Sequence, residues 1–483
     1  MRVPLPLRPF NQEGPSTLWI QSTAPCASAR ERSAAAGIFL ASAAATLTIS
    51  VPSPLAAWAY ALAVLTGACW WTLYFARLPD AKAAVAGVLT HVDDLRPFGV
   101  IWREAAMLVI AACGMLQWIT GRTVYRYATL DAWTRTTALV AVAFLARGAL
   151  ANERLRHRFL RAFVWFATAV SGAAVLAYFA SPGRILWLFP SPYPDTWGPF
   201  LSRNDFAAFL ELAFPVALWL GRLRRDAIRH DAARHSSEST PPFCPPRFPH
   251  GPKDIQSWKG RSSNGRSPGG RSSGGRSFRG FPSHAVYLCI AAWLLAAGVA
   301  SASRAGSALL AAEAVVILAR RAPRAAAVKF AAAAAVLIAV VGAGTLLGRW
   351  REPDVWRYRR EINRSALAMI AARPLGGFGL GTFARAYPAY AYFDPGGVVE
   401  HAHDEWLEWA AEGGLLYALA WFVIAISLVK PAARSMWGLG VIAVFLHASV
   451  DYPFARFGVS AWTMALIGAL GAEEMREVPV RAH

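Results

Sequence analysis

The chain has 483 residues, of which 55% are hydrophobic and only 16% are charged, with 20 Trp and 26 Phe. This composition excludes a soluble globular protein, whose surface must be wet, and predicts an all-α polytopic membrane protein. The formal net charge of +20 would raise the question of nucleic acid in a soluble protein, but here the basic clusters lie between apolar stretches.

Apolar runs recur along almost the whole chain, each about long enough to cross a hydrocarbon core of about 30 Å as a helix. The first 33 residues show no short apolar core followed by a cleavage site, so we expect the first helix to remain as an anchor. With a cytoplasmic N-terminus, five basic clusters fall on the cytoplasmic side, as the positive-inside rule expects. They lie at Arg30 and Arg32, Arg154 to Arg158, Gly221 to Arg225, Arg320 to Arg324, and Lys430 to Arg434. The pattern predicts about twelve spans, at residues 34–50, 56–76, 103–119, 136–152, 159–180, 205–221, 284–301, 305–320, 326–347, 407–429, 435–450 and 457–472.

Residues 222–283 differ from the rest because their Gly, Ser, Pro and Arg cannot bury a core, which predicts a disordered basic cytoplasmic linker. Binding to anionic lipid headgroups, a purely topological role and RNA binding remain open for it. The predicted segments are an N-terminal cytoplasmic segment (1–33), helices 1–6 (34–221), the linker (222–283), helices 7–9 (284–348), a large periplasmic loop (349–406), helices 10–12 (407–472) and a cytoplasmic tail (473–483).

Two short polar stretches lie at the predicted outer face. SASRAGS (Ser301 to Ser307) separates two apolar helices and carries Arg304, which either snorkels to headgroups or clamps a lipid-linked diphosphate. In SRNDF, Arg203 is a second cation facing the same space, and either Asn204 or Asp205 is a candidate helix cap.

The long loop begins with a cluster of arginines. Topology does not explain positive charge on the outer face, whereas an anionic ligand does; salt bridges within the loop account for only part of the cluster. The cluster comprises Arg349, Arg351, Arg357, Arg359, Arg360 and Arg364.

RPLGGFGLGTF (Arg373 to Phe383) follows, with glycines that include Gly379 and Gly381. Glycines let a backbone turn tightly or approach a ligand closely, and both interpretations are open. The stretch lacks the Lys-Ser/Thr and the preceding strand of a phosphate loop, so we expect no nucleotide site.

HAHDEW places His401 and His403 one residue apart, before Asp404. Three interpretations compete: a general base for an attacking hydroxyl, a ligand pair for a divalent metal, and structural histidines. We favour the base, because no further outward histidine completes a metal set. Asp404 is expected to cap the next helix.

Five motifs in this order resemble the bacterial O-antigen ligase and polymerase superfamily of membrane glycosyltransferases, over roughly residues 160–472. The motifs are SRNDF (Ser202 to Phe206), SRAG (Ser303 to Gly306), RPLGGFGLGTF, HAHDEWLEWAAEGGLL (His401 to Leu416) and VDYPF (Val450 to Phe454).

The resemblance implies a metal-independent, inverting transfer of a glycan from undecaprenyl diphosphate to lipid A-core or another glycan, in the bacterial inner membrane with both termini cytoplasmic. It implies His403 as catalytic base, with Arg304 and Arg359 holding the diphosphate. One departure is Asp404, where many members have Asn. The expected substrate-binding residues are Arg203, Arg360, Arg364, His401, Asp404, Gly379 and Gly381.

The expected partners are the lipid-linked glycan donor, the glycan or lipid A-core acceptor and membrane lipids, with no nucleic acid and no cofactor. A polymerase of the same superfamily is the main alternative. A transporter or flippase of polyprenyl-linked glycans is the other; it would predict paired charges at mid-bilayer and internal repeats, and the sequence shows neither.

Overall fold

The computed structural model describes residues 27–48, 54–76, 98–191, 193, 196–238, 284–321, 355–394 and 396–477, together with positions 328, 331, 332 and 336. These residues are mostly helical, which confirms the helical class; a two-residue antiparallel hairpin of β1 (Arg184–Ile185) and β2 (Phe189–Pro190) is an addition to it. The helices are α1 (Ala29–Leu47), α2 (Pro54–Ala76), α3 (Phe98–Thr120), α4 (Arg126–Ala149), α5 (Glu153–Ala180), α6 (Arg203–Glu238), α7 (His284–Ala300), α8 (Arg304–Arg321), α9 (Val355–Ala372), α10 (Phe383–Ala386), α11 (Glu405–Gly413), α12 (Leu415–Ser435), α13 (Leu439–His447) and α14 (Phe457–Glu477), with 3₁₀ turns at Tyr387–Tyr390 and Pro453–Ala455.

Within the described residues, four helical segments are long and apolar enough to cross a membrane: Gly99–Thr120, Glu153–Ala180, Arg203–Arg222 and Leu415–Ser435. Shorter apolar helices occur at Trp58–Cys69 and His284–Ala300. In the most apolar 18-residue stretch of Arg203–Arg222, 89% of the residues are buried inside the protein, against 33–39% in the other three segments. This segment is therefore enclosed by neighbouring helices, while the other three leave most of their residues less completely covered.

Two predicted spans have a different form in the structure. The run 407–429 is broken at Gly414, whose φ of 81° a residue with a side chain rarely adopts, and the chain continues as two helices, α11 and α12. The run 435–450 contains only α13, whose nine residues rise about 14 Å, about half of a membrane crossing. The predicted span 326–347 lies largely outside the described residues.

The predicted linker also begins later than residue 222. Helix α6 continues to Glu238, because residues 222–238 contain neither Pro nor Gly to end it. Residues 239–283 lie outside the described part, as do 1–26, 349–354 and 478–483 among the predicted segments.

The region predicted as a periplasmic loop contains a small folded unit. Helix α9 carries the apolar side chains Ile362, Ala366 and Met369 on one face, and these pack against Phe378 and Phe383 of the glycine-rich stretch. This second core, separate from the core of the bundle, holds the residues around His401 and His403 against helix α11.

We call one end of the bundle the loop end, where the N-termini of α6, α8, α11 and α14 meet the C-terminus of α13. At this end, a Cβ on Gly306 would lie 2.3 Å from the Cβ of Ala207, so only glycine lets α8 approach α6 this closely. The opposite end carries ion pairs between helices, such as Arg103 with Glu474 at 2.5 Å and Arg476 with Glu153 at 3.1 Å.

Candidate active site at the loop end of the bundle

The central feature of the loop end is a histidine facing a carboxylate. Nδ1 of His403 lies 3.5 Å from Oδ1 of Asp451; the Asp451 side chain is 6% exposed, while that of His403 is 30% exposed. The side-chain amide of Asn204 donates a hydrogen bond to the other carboxylate oxygen of Asp451. The imidazole thus has one nitrogen turned towards a buried acid while the ring remains partly open to a ligand.

The backbone at His403 has a φ of 55°, in the left-handed region. A residue with a side chain adopts this conformation at a cost of about 1–2 kcal/mol, which the surrounding structure must offset. Two carboxylates of α11 supply that support.

The first of these is Glu408, which holds the residues just before His403. One of its carboxylate oxygens lies 2.8 Å from Nδ1 of His401, and the other accepts a hydrogen bond of 2.8 Å from the backbone N–H of Ala402. Asp404 caps α11 by accepting a bond of 3.2 Å from the backbone N–H three residues later. The expectation that Asp404 caps this helix is confirmed, so its carboxylate is already engaged with the backbone.

The second is Glu405, which ties α11 to the turn that carries Asp451. Its carboxylate accepts hydrogen bonds from the backbone N–H groups of Phe454 at 3.0 Å and Ala455 at 2.6 Å. Its own N–H donates to the carbonyl of Ala448 at 2.8 Å. These bonds fix the distance between the two chain segments that form the His403 and Asp451 pair.

The charges of the site favour an ionised Asp451 and a protonated His401. Burial alone would raise the pKa of Asp451, but His403 beside it, with the charges of His447 and Arg359, lowers it to about 2. Burial would likewise lower the pKa of His401, but the charge and hydrogen bond of Glu408 raise it above its ordinary value of 6.5. The two histidines of the motif therefore have different carboxylate partners: Glu408 for His401 and Asp451 for His403.

Tyr452 covers the two histidines. Its ring stacks on His401, with centroids 4.2 Å apart and planes inclined by 23°, and its centroid lies 5.1 Å from that of His403. The guanidinium of Arg456 lies 4.9 Å from the Tyr452 ring and forms an ion pair of 3.1 Å with Asp205. This packing restricts the orientation of both imidazoles.

The interpretation of Asn204 or Asp205 as the cap of α6 is wrong. The Oγ of Ser202 accepts the hydrogen bond from the first turn, at 3.1 Å from the backbone N of Asn204. Both polar side chains that follow turn inward instead, because Asp451 and Arg456 lie close enough to bind them.

The structure brings some of the predicted arginines to the site. Arg359 is half-buried and donates a hydrogen bond of 2.6 Å to the carbonyl of Val450, next to Asp451. Arg203 and Arg304 begin α6 and α8, which the close approach at Gly306 holds side by side at the loop end.

Two other predicted arginines lie further out on α9. Arg364 places its guanidinium 4.3 Å from the centre of the Tyr392 ring, and Arg360 is exposed on the same helix. Neither side chain contacts the His403 and Asp451 pair in the geometry described.

The predicted glycines lie at contacts between segments of the protein. A Cβ on Gly379 would lie 2.0 Å from Oγ1 of Thr123, and one on Gly381 would lie 3.0 Å from the carbonyl oxygen of Ala128. The carboxylate of Glu412 accepts hydrogen bonds from the backbone N–H groups of Gly381, at 2.8 Å, and Phe383, at 2.7 Å. Of the two interpretations of this stretch, the geometry supports the tight turn.

Sequence reasoning did not assign roles to Asp451, Tyr452 and Arg456. The available signal was a run of polar residues, DYPFAR, between two apolar stretches, which appeared only as a motif of the resemblance. Across the described ranges, no group of three or more His, Cys, Asp or Glu side chains is placed to hold a metal ion.

Fold and site together define a polytopic helical membrane protein with a histidine, a buried carboxylate and several arginines gathered at one end of its bundle. Residues 289–422 match the family model described as O-Antigen ligase. The resemblance to the O-antigen ligase and polymerase superfamily is thereby confirmed, and the match includes Arg304, Arg359 and His403 but ends before Asp451. No curated protein sequence matches the chain significantly.

Proposed function

We propose that this protein is an O-antigen ligase-like glycosyltransferase, which moves a glycan from undecaprenyl diphosphate to an acceptor hydroxyl of lipid A-core or another glycan. The observation that carries the proposal is the approach of Asp451 to His403, which lies among the residues that match the O-antigen ligase family. The loop end faces the periplasm, and both termini are cytoplasmic. Reporter fusions at Gly265 and Gly396 test this topology, because they should report opposite sides of the membrane.

His403 acts as the general base in the transfer. Its Nε2 accepts the proton of the acceptor hydroxyl as the hydroxyl oxygen forms a bond to the anomeric carbon. The imidazolium that develops is stabilised by the ionised carboxylate of Asp451 at Nδ1. Attack from the side opposite the diphosphate breaks the bond between the anomeric carbon and the phosphate oxygen, which inverts the configuration.

The arginines serve the departing diphosphate. The bond to diphosphate is already activated, so the protein needs chiefly orientation, a base and cations placed where negative charge grows. Arg359, Arg304 and Arg203 are the candidates, since all three lie on segments that meet at the loop end. Guanidinium groups bind phosphate oxygens bidentately and do so without a metal.

The proposal is tested with the full-length protein in detergent, supplied with an undecaprenyl-diphosphate-linked glycan and EDTA. We expect release of undecaprenyl diphosphate only when an acceptor is present, and a product of inverted anomeric configuration. Transfer to lipid A-core identifies a ligase, whereas elongation of the donor glycan identifies the polymerase alternative. Activity that EDTA abolishes and a divalent ion restores would contradict the metal-independent mechanism.

A further inference from the structure

A cavity lies at the opposite end of α11 from His403. This cavity of about 530 Å³ opens between the turn that follows α3 and the start of the glycine-rich stretch. This volume is within the range of about 300–1,000 Å³ that small-molecule sites occupy. Its lining includes Arg122, Thr123, Arg373, Leu375 and Gly376.

The walls of this cavity are fixed to each other by hydrogen bonds. The backbone N–H of Val124 donates to the carbonyl of Phe378 at 2.9 Å. The buried side-chain amide of Gln117 donates to the carbonyl of Gly376 at 2.7 Å, and its oxygen accepts from the N–H of Leu380 at 3.1 Å. The two sides of the cavity therefore cannot separate without breaking buried hydrogen bonds.

The cavity carries positive charge that the protein leaves unneutralised. Arg122 and Arg373 are both exposed, and neither forms an ion pair with a carboxylate in the part of the chain that the structure describes. Two more arginines lie next to it on aromatic rings: Arg385 is 4.0 Å from the ring centre of Tyr125, and Arg126 is 5.3 Å from that of Trp118.

We propose that this cavity binds a sugar that bears phosphate or carboxylate groups and belongs to the acceptor glycan. The two guanidinium groups bind the anion, and the apolar wall beside them, which includes Leu375, suits the C–H face of a sugar ring. The cavity meets the C-terminal end of α11 at Gly377, and His403 precedes its N-terminal end. Nine residues of helix separate the two by about 14 Å. This inference rests on the proposed function, because it assigns the acceptor chain a path from the cavity to His403.

The test measures binding apart from transfer. Full-length protein in nanodiscs of zwitterionic lipid is titrated with glucose 1-phosphate, and binding is followed by saturation-transfer NMR. We expect the double variant Arg122→Gln, Arg373→Gln to raise the Kd by about tenfold, since it removes two charge-assisted contacts. Arg184→Gln, an exposed arginine of β1 outside the cavity, is the matched control and should leave the Kd unchanged.

An unchanged Kd in the double variant would overturn the inference. So would an equal Kd for inorganic phosphate, because that result indicates a site for an ion only. Loss of binding in nanodiscs of anionic lipid would also overturn it, because that result indicates a site for lipid headgroups. His403→Ala separates this inference from the proposed function. It should bind glucose 1-phosphate like the unmodified protein, and full transfer activity in that variant would refute the proposed function while leaving the cavity result in place.

Discussion

Substitution of Asp451 by Asn examines the pair on which the proposed chemistry depends. The change keeps the shape of the side chain but removes the charge that lies 3.5 Å from Nδ1 of His403. An amide at this position can donate to Nδ1, which would place the proton on Nε2 and leave His403 unable to accept one from the acceptor.

The magnitude follows from two arguments. Unit charges about 4 Å apart at an effective dielectric constant of 20 attract each other by about 4 kcal/mol, an upper figure here because His403 is 30% exposed. The lowering of the Asp451 pKa from 3.8 to about 2 corresponds to about 2 kcal/mol. We therefore expect kcat to fall by between about 30-fold and 1,000-fold, since each 1.4 kcal/mol is a factor of about ten.

The assay is release of undecaprenyl diphosphate from the lipid-linked donor, followed over a range of acceptor concentrations to separate kcat from KM. Asp394→Asn is the matched control, because Asp394 is exposed and, among the described residues, accepts a hydrogen bond from the backbone N–H of Gly396 at 2.9 Å. It should retain full activity. If the folded Asp451→Asn protein keeps kcat within twofold of the unmodified protein, the charge of Asp451 does not support His403 in the transfer.

Three further predictions concern stability, each measured by thermal unfolding in detergent. Gln117→Ala should cost about 2–4 kcal/mol, because the carbonyl of Gly376 and the N–H of Leu380 lose their hydrogen bonds, while the carbonyl of Glu412 keeps the one from Gly379; an unchanged Tm would contradict this. Gly377→Ala should lower Tm far more than Gly396→Ala: both have positive φ, but only at Gly377 would a Cβ meet backbone, at 2.1 Å. The raised pKa of His401 gives stability that is complete below about pH 6.5 and is lost as pH rises through the folded-state pKa. His401→Asn should therefore flatten the fall of Tm with rising pH, and a slope equal to that of the unmodified protein would rule out the His401 and Glu408 pair as its source.

The sequence predicted the helical membrane class and the segment that carries His403, because both depend on local pattern. Apolar runs identify buried helices, and a polar stretch between them stands out. The pattern could not show that the run 407–429 contains a break, because Gly414 is followed directly by further apolar residues. The turn at Gly414 is required by the contact of this glycine with the glycine-rich stretch.

The partner of His403 was beyond the reach of sequence reasoning for a different reason. Asp451 follows a separate helix, α13, and it is held near His403 by long-range contacts, among them the hydrogen bonds of Glu405 to the backbone of the turn that contains it. Arg364 is a second case: the sequence offers an arginine cluster, and only the fold shows that its guanidinium lies on the ring of Tyr392. Contacts between distant segments decide both cases, and a single sequence does not encode them in any local pattern.

The role of His403 is tested most directly by the transfer activity of His403→Gln, measured with purified protein, the lipid-linked donor and an acceptor. We expect a loss of kcat of at least about 100-fold, the range for a general base. Binding of the donor should be retained, and His157→Gln, a histidine of α5 far from the loop end, should keep its activity. Release of undecaprenyl diphosphate at an undiminished rate by folded His403→Gln would show that His403 is not the general base.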